Sequence, residues 1–306
     1  MFSKINDFLR HERRMRSKIK SQQETLHFLQ EKYLRPYFEE QSLQFFYIKP
    51  KKDLPSKVVW QYWGQGLNNL RQPVDCCMKS VQSNLPDGYK YIVLTDKNVQ
   101  EWLDIPSFVS ERLNNGNGYS HTFYSDILRL ALLNAYGGVW VDATILLTGQ
   151  IPAKYLESSL FCFYRGAQPN YWKQWEIFNP MYFSWRKAFK VRMCNSFLIS
   201  KPNHPIISAL LDLLLNYWKC ENNWKHYFIF QLLFDELIKK YLPNQDWTSE
   251  NDLLCHELLF HCQQPFDINQ WQLILEHSSI HKLTYYNDSD PSSFYSYILK
   301  EFKQIM

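Results

Sequence analysis

The spacing of apolar and polar positions changes several times along the chain, and each change predicts an element. In residues 1–50, Ile5, Phe8, Leu9, Ile19, Leu26, Phe28 and Leu29 recur loosely at helical intervals. Pro36 is expected to interrupt that helix, and Pro50-Lys51-Lys52-Asp53-Leu54-Pro55 reads as a connector to the first strand. Strands are expected at 57–63 and 89–95, with a helix at 71–83 between them and a turn at 85–88, followed by a short helix and a break at Pro106. Residues 122–135 carry Ile127, Leu128, Leu130, Ala131, Leu132 and Leu133. A helix apolar on nearly every side belongs in a core. Gly137-Gly138 should end it, since glycine takes the left-handed cap conformation without penalty. A strand at 139–145 comes next, then strands at 159–164 and 193–200 and amphipathic helices at 204–218 and 224–241. Strand-helix-strand-helix-strand order implies an α/β fold with a largely parallel central sheet. The division expected is an N-terminal basic helical segment, 1–50, and one domain over 51–306.

Composition sharpens this picture. The chain has 306 residues, of which 17% are aromatic, so a disordered chain is excluded and a sizeable core is expected. The net charge of +4 calls for no nucleic-acid partner. Lys4, Arg10, Arg13, Arg14, Arg16, Lys18 and Lys20 nonetheless crowd the first twenty residues against Asp7 and Glu12. Such a helix suits either an anionic membrane surface or a docking face on protein. Seven cysteines show no metal-ligand spacing, which suggests free, mostly buried thiols in a reducing compartment and no structural zinc. No signal-like start is present, nor a run of about 18 apolar residues that could span a bilayer. A cytoplasmic protein is therefore expected, with peripheral contact at the inner face of the plasma membrane as an option.

Two polar groups stand out within the apolar core sequence. Asp126 and Arg129 share one helix face, so they form either an internal ion pair or part of a polar site. Asp142 and Thr144 fall at the end of a predicted central strand on the side of Trp140, where open α/β sheets bind ligands. A turn-capping role for Asp142 is the alternative. His226 and Tyr227 are expected to open a helix that either faces an acceptor or simply packs.

Taken as one continuous pattern, Tyr124-Ser125-Asp126-Ile127-Leu128-Arg129 followed by Tyr136-Gly137-Gly138-Val139-Trp140-Val141-Asp142 resembles the core motif of DXD-type sugar transferases. The nearest resemblance is to the capsular polysaccharide synthesis family of bacterial glycosyltransferases. That family is related to the Golgi-type mannosyltransferases of yeast and, more distantly, to the clostridial glucosylating toxins. Val59-Trp60-Gln61-Tyr62-Trp63-Gly64 and Ile280-His281-Lys282-Leu283-Thr284-Tyr285 are similar to its first strand and its C-terminal motif, so the likeness spans about residues 54–286.

The resemblance implies a GT-A-like domain that moves a sugar, with retention, from a nucleotide sugar, UDP-linked, to a saccharide or lipid-linked saccharide in capsular or exopolysaccharide synthesis. It implies catalytic roles for Asp126, Arg129 and Asp142. Gln61, Trp63, Gly64, Ser125, Trp140, Asn195 and Lys282 would bind the donor, with Trp63 stacking on the base. Asp142, Thr144 and His281 would hold a Mg²⁺ or Mn²⁺ ion. Thr144 stands where the fuller pattern has a second aspartate, which implies weak metal binding or its replacement by Lys282 or Arg129. Two other classes are carried alongside: a toxin-like transferase acting on protein, and a non-catalytic nucleotide-sugar-binding module.

Overall fold

The computed structural model describes residues 2–54, 57–68, 70–116 and 118–302. Pro55 of the connector and the side chains of Lys4 and Ile5 lie outside the described residues. Helix α1 (Phe2–Leu29) continues through a π-helical turn (Gln30–Leu34) into α2 (Arg35–Phe38). Pro36 therefore does not end the helix. Proline lacks the N–H that would bond the carbonyl four residues back, and the wider π-turn ahead of it absorbs that mismatch. Met15, Gln22, Leu26 and Leu29 are buried along one stripe of α1. Glu12 pairs with Arg186, His11 with Glu176, and the Gln22 side chain accepts from the Lys190 N–H. Leu29, Tyr33 and Leu34 enter the same core as the sheet, so this segment is docked against it along much of its length.

The next elements are β1 (Val58–Tyr62), α3 (Val74–Ser83), β2 (Lys90–Leu94), α4 (Ser107–Asn115), α5 (His121–Tyr136), β3 (Gly138–Val141) and β4 (Ile145–Leu147). Then come α6 (Ala153–Leu156), β5 (Leu160–Tyr164), α7 (Trp172–Phe178), β6 (Met193–Ser200), α8 (Pro205–Cys220) and α9 (Ile229–Glu236). The chain closes with β7 (Thr248–Asn251), α10 (Asp252–His261), α11 (Ile268–His277), β8 (Ile280–Lys282) and α12 (Phe294–Glu301). The main sheet has the order β2-β1-β3-β6-β5-β7. Five strands run one way; β6 alone runs against its neighbours β3 and β5.

Alternation along the strands splits the core into two layers. Val58, Trp60, Tyr62 and Trp140 face α5, α8 and α9, while Val59, Val139, Val141 and Phe197 face the opposite side. The α5 helix is buried on nearly all sides, as its sequence demands. Gly137 ends it at φ +69°, and an added Cβ there would lie 2.7 Å from Pro202 Cδ and 2.8 Å from the Ser200 carbonyl oxygen. Only glycine lets the chain turn from helix into strand so close to β6.

Two expectations are corrected. The strand expected at 139–145 stops at Val141, because the Ile145 N–H bonds back to the Asp142 carbonyl and closes a turn. Ile145–Leu147 then joins β8 in a separate two-stranded sheet. Thr144 thus lies in a turn, where strand alternation does not apply. A short 3-10 helix (Val99–Glu101) precedes the break at Pro106, which leads into α4, whereas the helix expected from 224 begins only at Ile229.

Candidate active site

A cavity of about 540 Å³ opens where the carboxyl ends of β1 and β3 meet the first turns of α5. Asp126 and Arg129 project from one face of α5, three residues apart, and Arg129 Nη1 donates to Asp126 Oδ1 at 2.5 Å. Asp142, just past β3, accepts from Arg129 Nη2 and from Trp140 Nε1, each at 2.8 Å. Asn195, near the start of β6, donates its amide to Asp126 Oδ1 at 2.9 Å. The antiparallel course of β6 makes this possible, since it brings residues 195–197 beside the end of β3.

One guanidinium thus serves two carboxylates. Arg129 and Asp126 are buried, and Asp142 is partly open to the cavity. Burial without full compensation pushes the Asp126 carboxyl up to about 7; Arg129 pulls it down, and the Asp142 charge pushes it up further. The backbone of Asp142 is fixed on three sides. Its N–H bonds the Ser196 carbonyl at 2.8 Å, and its carbonyl accepts from the Ile145 N–H and from Gln61 Nε2, the latter at 3.1 Å.

At another part of the wall, Trp63, Arg71 and Tyr285 form an aromatic-cationic group. The Arg71 guanidinium lies 4.0 Å from the Tyr285 ring centre and 5.4 Å from that of Trp63. Gly64 lies beside them on the cavity wall. A Cβ there would approach Tyr62 Oη to 2.6 Å and His121 Cδ2 to 2.8 Å, so a side chain at this position would have to displace both. Lys282 reaches from β8 to the Thr144 hydroxyl. Ser125 lines the cavity from α5 and bonds the Thr122 carbonyl.

Of the expected site residues, Asp126, Arg129, Asp142, Trp63, Gly64, Ser125, Trp140, Asn195, Thr144 and Lys282 all line this one cavity. Gln61 does not. It is fully buried in β1, holds the Asp142 carbonyl and accepts from Tyr91, so it positions the site from behind. His281 does not line it either. Alternation along β8 turns it away from Lys282 into the interior, where Nε2 meets the Thr148 hydroxyl at 2.9 Å and burial lowers its pKa to about 3. Tyr227 reaches the cavity ahead of α9, whereas His226 is not part of the lining.

The residues expected to hold Mg²⁺ or Mn²⁺ thus do not assemble. Asp142 Oδ1 is taken by Arg129 and Trp140, Thr144 by an ammonium, and His281 points elsewhere. A hard divalent cation seeks several oxygen ligands, and this donor set does not fit one. Residues 71, 182, 194 and 256 also line the cavity. The spacing of none of them marks it as a site residue, because each comes from a loop or a distant element. Tyr285, at the end of the C-terminal motif, is an additional lining residue with a readable signal, as is Tyr62 in the first-strand motif.

A polar, aromatic-lined cavity at the strand ends of a parallel-rich α/β sheet is where proteins of this fold class bind their ligands. The chain belongs to the family described as capsular polysaccharide synthesis protein, whose model matches residues 10–299. Among solved structures it is similar to the PaToxG glycosyltransferase, with 15% identity, 77% of this chain and 81% of that chain covered, and a TM-score of 0.38. It is also similar to a glycosyltransferase involved in the glycosylation of the major capsid of PBCV-1, with 5% identity, 82% and 100% covered, and a TM-score of 0.40. No curated protein matches it.

Proposed function

We propose that this protein transfers a glycosyl group from a nucleotide sugar, UDP-linked, to a saccharide or lipid-linked saccharide acceptor in capsular or exopolysaccharide synthesis. The observation that carries the reading is the Asp126–Arg129–Asp142 cluster, braced by Asn195 and Trp140, on the wall of a cavity that also holds Trp63 and Lys282.

The roles follow from chemistry. Trp63, with Arg71 and Tyr285, offers a face for the base; such stacking contributes roughly 1–3 kcal/mol. Asp126 and Asp142 accept from sugar and ribose hydroxyls, held in place by Arg129. The departing diphosphate develops negative charge, and the fixed ammonium of Lys282 is placed to stabilise it where a metal ligand set is lacking. Asp126 Oδ1 is engaged by both Arg129 and Asn195, which favours donor positioning over attack by this carboxylate. Retention of configuration is part of the proposal, carried by the family resemblance.

Among the described residues no helix is long and apolar enough to cross a membrane. Phe8 and Leu9 are exposed on α1 beside Arg10, Arg13 and Arg14, which supports peripheral contact with an anionic inner leaflet.

The test is a thermal-shift and turnover screen of the purified protein against nucleotide sugars. Stabilisation by a UDP-sugar together with its slow hydrolysis is the expected result. Stabilisation without any turnover would convert the reading to a binding module. Absence of both for every nucleotide sugar would overturn it.

A further inference from the structure

Cys194 of β6 comes together with Cys255 and His256 of α10, and Cys194 and His256 line the cavity. One ligating atom of each lies within 4.8 Å of the others, and all three residues are buried. We infer that these side chains form a binding site for a thiophilic divalent cation, zinc by preference, with one coordination position facing the cavity. This rests on the side-chain cluster alone and not on the transferase reading.

Ligand chemistry selects the ion. Two thiols and an imidazole form a soft set, and three protein ligands with an open fourth position is a known zinc arrangement. Bonds of about 2.3 Å to sulfur and 2.0–2.1 Å to nitrogen place tetrahedral ligands roughly 3.5–3.8 Å apart. Closing the cluster therefore needs a contraction of about 1 Å. The His256 ring already lies against the Cys255 thiol, with Sγ 3.3 Å from Nδ1. His256 Nδ1 donates to the Asp252 carbonyl oxygen at 2.7 Å, so an outer partner orients the ring and leaves Nε2 as the unprotonated, ligating nitrogen.

Charge supports it as well. Binding releases one proton from each thiol, so two thiolates and a divalent cation sum to zero. The adjacent buried pair, Arg165 with Asp252, is neutral in the same way, with Nη2 2.8 Å from Oδ2. A neutral complex costs little to hold in this dry region, whereas a lone buried cation or thiolate would cost far more. Access comes from the cavity, since Cys194 and His256 both line it. The Tyr182 ring packs 5.0 Å from that of His256, and its buried hydroxyl has no partner among the described residues. The cluster has no sequence signature, because the two cysteines lie 61 positions apart.

Cobalt(II) is the probe. Chelator-treated, reduced full-length protein titrated with Co²⁺ should show one equivalent bound, with a thiolate-to-cobalt charge-transfer band and tetrahedral visible bands. Zn²⁺ should displace it stoichiometrically. Cys194→Ser and Cys255→Ser should each weaken Zn²⁺ binding by at least about 100-fold, since loss of an outer partner alone costs roughly 10–100-fold. Cys77→Ser, in a separate buried thiol group, should leave the spectrum unchanged. Circular dichroism of each variant checks that it is folded. A wild type that shows no thiolate–cobalt band, or a band that survives in the folded Cys194→Ser/Cys255→Ser double variant, would falsify the assignment.

Discussion

Asp126→Asn isolates the electrostatics of the site. Unfolded, an aspartate ionises near pH 4; folded, Asp126 does so at about 7, because burial outweighs its share of Arg129. Between those values the folded chain keeps a proton that the unfolded chain releases. Wild-type stability contributed by this group is therefore lost as pH rises through the window and is constant above it. Asparagine does not titrate, so the variant is free of that loss. From pH 5 to 8 about two units of the shift are traversed, worth roughly 3 kcal/mol at 1.36 kcal/mol per unit. An unfolding entropy of about 0.6 kcal/mol/K for a chain of 306 residues converts this to roughly 4–5 °C. The melting temperature of Asp126→Asn minus that of wild type should thus rise by about that amount between pH 5 and pH 8. Differential scanning calorimetry of both proteins over this range makes the measurement, and transfer activity should be lost in the variant throughout. A difference that stays flat with pH, or falls, would show that Asp126 is ionised in the folded protein at pH 5, and the account of the shared guanidinium would be wrong.

Other outcomes are expected from the same structure. Lys282→Ala should remain folded yet bind UDP roughly 10–100-fold more weakly by calorimetric titration, the worth of a charge-assisted contact of about 1.5–3 kcal/mol. Added Mg²⁺ or Mn²⁺ should leave wild-type affinity unchanged, and a metal requirement for binding would refute the role given to that lysine. Gly137→Ala forces a positive φ on alanine and drives Cβ into Pro202 and the Ser200 carbonyl, so a loss of about 1–3 kcal/mol is expected in denaturant unfolding. Arg165→Met leaves the Asp252 carboxylate buried and unpaired, and should cost about 3–5 kcal/mol by the same measurement. Replacing Arg13 and Arg14 with glutamate should abolish flotation with anionic liposomes while sparing the melting temperature. Removing α1 outright would instead strip Met15 and Leu29 from the core and confuse the two effects.

Much of this architecture could be read along the chain. The apolar run of 127–133 required a buried helix, Gly137-Gly138 its end, and Val58–Tyr62 and Met193–Ser200 their strands. Local periodicity suffices where burial is one-sided or complete. It failed at Thr144 and Pro36, where a turn closed by the Asp142 carbonyl and a π-helical turn decided the backbone.

The sequence by itself therefore determined which elements form and, through Ser125–Asp126–Arg129 and Trp140–Asp142, which side chains carry the polarity. Only tertiary structure decided their division of labour. Arg129 binding two carboxylates, Lys282 rather than His281 reaching Thr144, and Cys194 meeting His256 all depend on how β3, β6, β8 and α10 are set against one another. Such arrangements join residues tens of positions apart. They are fixed by packing and burial, which no short stretch of sequence encodes.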